Sequence, residues 1–157
     1  MTEAQRIADQ FHRAFQGPAW HGDSIYELLQ GVTAGQAAAR PIPNAHTIWE
    51  ILLHMIAWGQ VVKNRIEGRR EDLPEEGDWL VVTDTSEEAW RKVQDKLKSM
   101  CRAMRHTVID LDDTRLFDFA AGCDFDIYVM LHGLIQHCIY HGGQIALLKK
   151  MTSESPR

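Results

Sequence analysis

The stretch that decides the fold is His132-Gly-Leu-Ile-Gln-His137-Cys-Ile-Tyr-His141-Gly-Gly-Gln-Ile-Ala-Leu-Leu-Lys-Lys150, near the end of the chain. Its apolar residues recur at helical spacing, which predicts a long helix. In such a helix, His137 and His141 lie one turn apart on the same face. That face also carries apolar side chains, at Met130, Leu134, Ile145 and Leu148. The two imidazoles therefore stand where a bundle helix normally buries leucine.

The composition of the 157-residue chain indicates a single globular domain, residues 1–157. A hydrophobic content of 45% and a charged content of 25% are ordinary for a folded domain. The 17 basic and 22 acidic residues give a formal net charge of -5. Because the basic residues form no dense cluster, we do not expect a nucleic-acid partner.

The sequence predicts a cytoplasmic protein that does not enter a membrane. Its first residues, Met1-Thr-Glu-Ala-Gln-Arg6, lack the apolar core of a signal peptide. No apolar run reaches the roughly 20 residues that a bilayer crossing takes. Cys101, Cys123 and Cys138 form neither a CxxC pair nor an even framework, which is typical of a reducing compartment.

Capping sequences and apolar periodicity divide the chain into four long helices and their joining segments. The first three helices each begin where Thr is followed three residues later by Glu or Gln, the signature of a capping box. The fourth is acidic at its start and basic at its end, as the helix dipole favours. The predicted bounds are about Thr2–Gln16, Thr47–Glu67, Thr85–His106 and Asp124–Lys150. We therefore predict an all-α protein, a four-helix bundle.

The joining segments are of two kinds. Two short helical turns, at Ser24–Gly31 and Thr33–Pro41, precede the second long helix. The segment Arg69–Asp84 is charged and broken by proline and glycine, so it forms a long connection between the second and third helices. Within it, Trp79-Leu-Val-Val82 is apolar enough to fold back against the bundle.

A third imidazole stands on the second long helix, where His54 lies among apolar neighbours. Together with His137 and His141, it forms a set of three imidazoles on faces that point to the core. A buried polar ring without a partner costs about 1–3 kcal/mol. A divalent cation would satisfy all three rings and leave coordination positions open, which is the pattern of catalytic zinc. The alternative is that the rings are core histidines bonded to the backbone or to each other.

Imidazole ligands do not by themselves select the metal. Zinc or nickel is favoured, and iron or copper also fits three imidazoles. His137-Cys-Ile-Tyr-His141 has the outer spacing of HExxH but lacks its glutamate, and no Glu-x-x-His pair supports a carboxylate-bridged di-iron site.

Two polar residues are candidates for a supporting role beside the metal. Gln144, three residues after His141, can bond a ligating imidazole or a bound water; otherwise it is a polar residue at the edge of the stripe. Glu50 stands one turn before His54, but it is also the third helical residue of the Thr47 capping box, and that use is favoured. Tyr140 and Cys138 are predicted to project to other sides of the helix.

The glycine pair 142–143 is unusual inside a helix, where each glycine costs up to about 1 kcal/mol relative to alanine. Two explanations are open. Either the second long helix packs very close at this point, or space is kept beside the metal for a ligand.

These residues together resemble the DinB-like superfamily of metal-binding helix bundles. The resemblance is carried by three stretches, Trp20–Leu29, Arg40–His54 and His137–Ile145. It implies an up-down-down-up bundle with a long crossover between helices two and three, commonly a homodimer. It also implies that His54, His137 and His141 are the ligands of a divalent metal.

The resemblance implies two classes of function. Some relatives are thiol S-transferases that use bacillithiol, mycothiol or glutathione, and others are described as metal-dependent hydrolases. The first hypothesis is therefore an enzyme that acts on a small molecule, in which the metal lowers the pKa of a thiol or a water. The second is a non-catalytic, stress-related bundle whose metal is structural or sensory. A fourth protein ligand closing the site would favour the second, and the sequence identifies no catalytic residue.

Overall fold

A computed structural model describes residues 1–153 as an all-α fold, which confirms the predicted class. The four long helices are α1, α4, α5 and α6; α2 and α3 are short turns, and a 3₁₀ helix follows α5. Their bounds are α1 Glu3–Gln16, α2 Ile25–Leu29, α3 Ala34–Ala38, α4 Ile48–Ile66, α5 Glu87–Ile109, the 3₁₀ helix Asp113–Phe117 and α6 Ile127–Thr152. The predicted domain extends to Arg157, and residues 154–157 lie outside the described part.

The predicted capping boxes fix the starts of most helices. At α1, α3 and α4 the hydroxyls of Thr2, Thr33 and Thr47 accept from backbone N–H groups three residues later, at 3.1–3.2 Å. The prediction for α5 is wrong by one residue: the cap is Ser86, whose hydroxyl accepts from Ala89 N at 3.2 Å. The reason is local, because the Asp84 carboxylate accepts from the backbone N–H of Ser86 at 2.9 Å, so Thr85 lies in the connection before the helix cap.

The far ends of two predicted helices also differ from the structure. Helix α5 continues to Ile109, about one turn past the predicted end at His106, and this added turn buries Val108 in the core. Helix α6 begins at Ile127 with Asp126 as its cap, and it reaches Thr152. Burial of Val108 accounts for the longer α5, and the shifts of two to three residues at α6 are of the size expected for helix ends.

Aromatic and sulfur contacts show that α4 and α5 run parallel. The rings of Trp49 and Trp90, near the start of each helix, lie 5.0 Å apart between centroids. Halfway along, Gly59 of α4 faces Met100 of α5 so closely that a Cβ at residue 59 would meet the Met100 side chain. Parallel neighbours in sequence require a long connection between them, which explains the segment of residues 67–86.

Contacts at the helix ends set the directions of α1 and α6. The first N–H groups of α1, at Glu3 and Ala4, donate to the carboxylate of Asp113, just after the end of α5, at 2.9 Å each. The last turn of α6 lies beside α3, where Gln36 Nε2 donates to the Thr152 carbonyl at 3.3 Å. Both α1 and α6 therefore run opposite to α4 and α5, which confirms the up-down-down-up arrangement.

Each long helix packs beside two others. Helices α5 and α6 both contact α1 and α4, while α1 and α4 occupy opposite corners, as do α5 and α6. One hydrophobic core lies between the four helices. The side-by-side packing of α4 and α6 is what brings His54 toward the histidines of α6.

The α4–α5 connection, residues 67–86, runs back along the bundle from the end of α4 to the start of α5. It contains neither helix nor strand, and Trp79 and Val82 pack against the core, as predicted. None of the helices within residues 1–153 combines the length and hydrophobicity that a membrane crossing requires.

Candidate metal centre

The structure brings His54, His137 and His141 together between α4 and α6. The Nε2 atom of His137 lies 2.9 Å from Nε2 of His54 and 3.1 Å from Nε2 of His141. One ring atom from each residue lies within 4.8 Å of the other two. His54 and His141 are buried, with 6% and 5% of their surface exposed. Three ring nitrogens from two helices therefore converge on one small volume.

The hydrogen bonds on the far side of two rings fix which nitrogen carries the proton. The Nδ1 atom of His54 lies 2.9 Å from the carbonyl oxygen of Asp78, which can only accept, so Nδ1 donates and Nε2 keeps its lone pair. The Nδ1 atom of His141 lies 2.6 Å from Oε1 of Gln144, which also can only accept. The Nδ1 atom of His141 therefore donates, and its Nε2 atom keeps its lone pair. Two lone pairs therefore point toward His137.

The third ring cannot satisfy both lone pairs. The Nε2 atom of His137 carries at most one hydrogen, so it can donate to His54 or to His141 but not to both. The buried Nδ1 atom of His137 has no hydrogen-bond partner within residues 1–153. A cation at the centre would accept electron pairs from all three Nε2 atoms at once. The residues present therefore fit a divalent transition metal.

The electrostatic surroundings keep the rings in the form that binds metals. Burial, followed by the neighbouring His141 and His54, lowers the pKa of His137 from 6.5 to about 4. Burial also lowers the pKa of His141, although its bond to Gln144 acts in the opposite direction. At neutral pH both rings are uncharged, and neutral imidazole is the ligand form.

His54 is held by residues of its own helix and of the α4–α5 connection. Besides the Asp78 carbonyl, its Nδ1 atom lies 3.2 Å from Oδ1 of the Asp78 carboxylate. That same oxygen accepts from Trp58 Nε1 at 2.8 Å. The ring of Trp79 stacks on His54, with 4.0 Å between centroids and 2° between planes. His46 stacks on Trp79 at 3.4 Å and 3°, so the three rings form a continuous stack.

An open cavity of about 450 Å³ lies against the three histidines. Its other lining residues are Trp58, Val62, Asp78, Gly133, Leu134 and Tyr140. The Tyr140 hydroxyl accepts from Gln144 Nε2 at 3.3 Å, so a chain of hydrogen bonds leads from His141 through Gln144 to the cavity wall. The site can therefore admit a small molecule beside the ring nitrogens.

The family model for the DinB superfamily matches residues 19–145, most of the chain, including all three histidines. The chain belongs to the DinB superfamily. This confirms the resemblance inferred from the sequence, and DinB-like proteins are metal-binding. No curated protein and no solved structure matches the chain significantly.

Glu50 lies apart from the three imidazoles of this DinB-superfamily protein. Its carboxylate accepts from the backbone N–H of Thr47 at 2.8 Å, which is the capping use favoured by the sequence, and pairs with Arg40 at 2.7 Å. Glu50 is connected to the site only through other side chains. Its Oε2 atom lies 3.6 Å from Nδ1 of His46, which stacks on Trp79, and Trp79 stacks on His54. The structure brings Gln144, but not Glu50, into contact with a ring of the set.

Two sequence interpretations near the site are wrong. Tyr140 lines the cavity instead of projecting away, because long side chains on a helix lean toward the preceding turn, here that of His137. At Gly142 the element that packs close is α2, since a Cβ there would lie 2.8 Å from Cδ1 of Ile25. A Cβ at Gly143 would meet open space, and neither glycine lines the cavity beside the histidines, so neither a close approach of α4 nor room beside the metal explains the pair.

The residues that sequence reasoning missed are Trp58, Asp78 and Trp79 as supports of His54. Helix spacing could have indicated one of them, because Trp58 follows His54 by one helical turn on the same face. Asp78 and Trp79 lie in the irregular connection, where no periodicity shows which side chains meet the bundle. Only the folded path of residues 67–86 brings them to His54.

Proposed function

We propose that this DinB-superfamily protein is a metal-dependent enzyme that activates a thiol or a water, as a thiol S-transferase or a hydrolase. The observation that carries the proposal is the convergence of three Nε2 atoms beside an open cavity. Among residues 1–153 the cluster contains three histidines and no further His, Cys, Asp or Glu. A site with three protein ligands and an open side is the arrangement of catalytic zinc centres.

The cofactor we propose is a divalent transition metal, zinc or nickel before iron or copper, since all of them accept imidazole. When bound, such an ion lowers the pKa of a thiol or water that shares it, which makes a nucleophile available at neutral pH. His54, His137 and His141 would hold it. Their Nδ1 partners, Asp78 and Gln144, keep the His54 and His141 rings oriented.

The chain's own residues supply substrate contacts in the cavity. Because the Tyr140 hydroxyl accepts from Gln144, its hydrogen remains free to bond an oxygen or nitrogen of a substrate. Trp58, Val62 and Leu134 provide apolar walls that displace water. We therefore propose Tyr140 as a substrate-binding residue.

We propose a small-molecule substrate, either a low-molecular-weight thiol with its acceptor or a hydrolysable ester. Among residues 1–153, those that line the cavity include one acidic side chain, Asp78, and no lysine or arginine. A substrate that bears several carboxylates would therefore keep them outside the cavity. The part that enters is compact and mainly apolar.

A second candidate function is a non-catalytic, stress-related bundle in which the metal is structural or sensory. One observation favours it: the three ligands come from two helices, so a bound ion would cross-link α4 to α6. A turnover assay of the metal-loaded protein distinguishes this role from that of an enzyme.

We also propose a homodimer in the cytoplasm. The outward face of α6 carries exposed apolar side chains, at Val129, Leu147 and Met151, which a second copy would cover. Cys101, Cys123 and Cys138 are free thiols, as suits a reducing compartment. Sedimentation at several concentrations would test the dimer.

The experiment that tests the enzyme proposal compares zinc- and nickel-loaded protein on panels of thiol acceptors and esters. His141→Ala is the loss-of-site variant, and His132→Ala is the matched control on the same helix, because the His132 ring packs against Tyr128 and is not part of the three-histidine set. We expect turnover in the wild type and the control and none in His141→Ala. Metal binding without turnover on either panel would instead favour the structural or sensory role.

A further inference from the structure

The α4–α5 connection meets the metal site through one residue. Asp78 offers two acceptors to Nδ1 of His54: its backbone carbonyl at 2.9 Å and its carboxylate Oδ1 at 3.2 Å. The carboxylate is itself held by Trp58 Nε1 at 2.8 Å. Since Trp58 and His54 lie one turn apart on α4, Asp78 links two neighbouring side chains of the helix to the connection.

These contacts act on His54 in a defined way. An acceptor at Nδ1 keeps the hydrogen there, so the lone pair stays on Nε2, which faces His137. The carboxylate places negative charge beside the Nδ1 hydrogen, which favours the ring orientation that leaves Nε2 facing His137. The hydrogen bond from Trp58 Nε1 fixes the position of the Asp78 carboxylate. The carboxylate can therefore fix the orientation of the His54 ring.

Trp79, the residue after Asp78, covers one face of the His54 ring. The two rings are stacked, and His46 stacks on the opposite face of Trp79. The ring of His54 is therefore bounded by the connection at its edge and on one face. The connection, which contains no helix or strand, is in turn anchored at this point by the imidazole.

We propose that Asp78 is a positioning residue that presents the Nε2 lone pair of His54 to the metal and thereby couples metal binding to the order of the α4–α5 connection. The proposal rests on the metal site of the proposed function. It goes further by assigning the connection a role in metal affinity. Coupling of this kind is reciprocal. If the ordered connection increases metal affinity, then bound metal must stabilise the ordered connection by the same free energy.

A merely structural role for Asp78 predicts a different result. If the residue only anchors the connection, its loss lowers the stability of the metal-free protein and leaves the metal affinity of the folded protein unchanged. If it positions His54, its loss weakens metal binding even where the metal-free fold is intact. Metal affinity therefore separates the two roles.

The test compares Asp78→Ala, Asp78→Asn and Trp58→Phe with the control Asp72→Ala. Asp72 lies in the same connection and carries the same charge, but its side chain is 67% exposed and pairs with Arg70. Zinc affinity is measured by competition with a chromophoric chelator, and cobalt is added as a spectroscopic probe of ligand geometry. Circular dichroism of the metal-free proteins shows which variants fold.

We expect zinc affinity to fall about 10-fold in Asp78→Ala, the lower end of the cost of removing such a partner, because the backbone carbonyl at 2.9 Å remains as an acceptor. The cobalt spectrum of that variant should also change. Asp78→Asn keeps an oxygen that can accept from Trp58 and His54, so it should bind more tightly than Asp78→Ala. Trp58→Phe keeps the ring but loses the N–H donor, and its affinity should fall below that of the wild type. The control should stay within about twofold of the wild type.

The reciprocal effect is read by hydrogen exchange of residues 72–83. Zinc should slow exchange there in the wild type and in Asp72→Ala, and should slow it less in Asp78→Ala. Wild-type affinity together with wild-type protection in Asp78→Ala and Trp58→Phe would overturn the assignment of Asp78 alone. A wild-type protein that binds neither zinc nor cobalt would overturn the metal site as well, so the two failures are distinguishable.

Discussion

Helices α5 and α6 occupy opposite corners of the bundle and contact the same two neighbours, but their sequences are organised differently. Helix α5 buries one stripe, which includes Leu97 and Met104, and its other sides are largely charged. Helix α6 also buries a stripe, but His137 and His141 stand within that stripe, and its outward face is mostly uncharged. Packing alone explains the pattern of α5 but leaves the two imidazoles of α6 unexplained.

The difference teaches where to look for function in such a bundle. On α5, every buried position is filled by an apolar side chain or cysteine, so burial and hydrophobicity agree. On α6, buried His141 stands at a position where packing alone would select an apolar residue. Because a buried imidazole must have partners, the mismatch itself points to a ligand. The predictions that follow test this contrast, from the largest expected effect to the smallest.

Leu97→Ala tests the claim that α5 serves packing. Leu97 is completely buried in the core, so the variant should lose about 2–5 kcal/mol of unfolding free energy through lost burial and a cavity. Chemical denaturation of the metal-free protein measures it, and exposed Lys96→Ala, the adjacent residue, is the control. Zinc affinity of the folded variant should be unchanged; a variant that folds but no longer binds zinc would show that α5 contributes directly to the site.

Zinc addition tests the claim that the histidine face of α6 is completed by a ligand. Free zinc at 100 times its dissociation constant should raise the unfolding free energy of the wild type by about 2.7 kcal/mol. His137→Ala should lose this increment, whereas His132→Ala, on the same helix, should keep it. Thermal or chemical unfolding with and without zinc measures the effect, and an equal response in His137→Ala would contradict it.

The glycine pair tests the side of α6 that packs against α2. Gly142→Ala places a methyl group 2.8 Å from Cδ1 of the buried Ile25, which must shift, so this variant should be less stable than Gly143→Ala by about 1–3 kcal/mol. Gly143→Ala meets open space and should stabilise the helix by up to about 1 kcal/mol. Unfolding free energies of the two metal-free variants provide the measurement. Equal unfolding free energies for the two variants would show that close packing on α2 does not distinguish position 142 from position 143.

Gln144→Leu tests the outer support of His141 and should have the smallest effect on the site. Its Oε1 accepts from His141 Nδ1 at 2.6 Å, and leucine cannot replace that acceptor. Zinc affinity should fall about 10-fold, at the lower end of the range for such partners. The control is Gln136→Leu, an exposed glutamine about two turns earlier on α6, and equal affinities in the two variants would remove Gln144 from the site.

The sequence predicted the parts of the molecule that rest on local periodicity. Thr47 and its capping partner marked the start of α4, and the spacing of His137 and His141 marked one face of α6. His54 joined the set because it interrupts an apolar stripe. What helix spacing could not predict lies in the connection and between elements: the carbonyl of Asp78, the stack of Trp79, and the contact of Ile25 with residue 142. These depend on how distant segments meet, which local sequence does not encode.

The most direct test of the central claim is the zinc stoichiometry of protein prepared metal-free, measured by elemental analysis after reloading and by titration calorimetry. The comparison uses the wild type, His54→Ala, His141→Ala and the control His132→Ala. We predict about one ion per chain in the wild type and the control, and none retained in the other two. A wild type that binds no zinc, nickel or cobalt, or a His54→Ala His141→Ala double variant that binds as the wild type does, would contradict the three-histidine site.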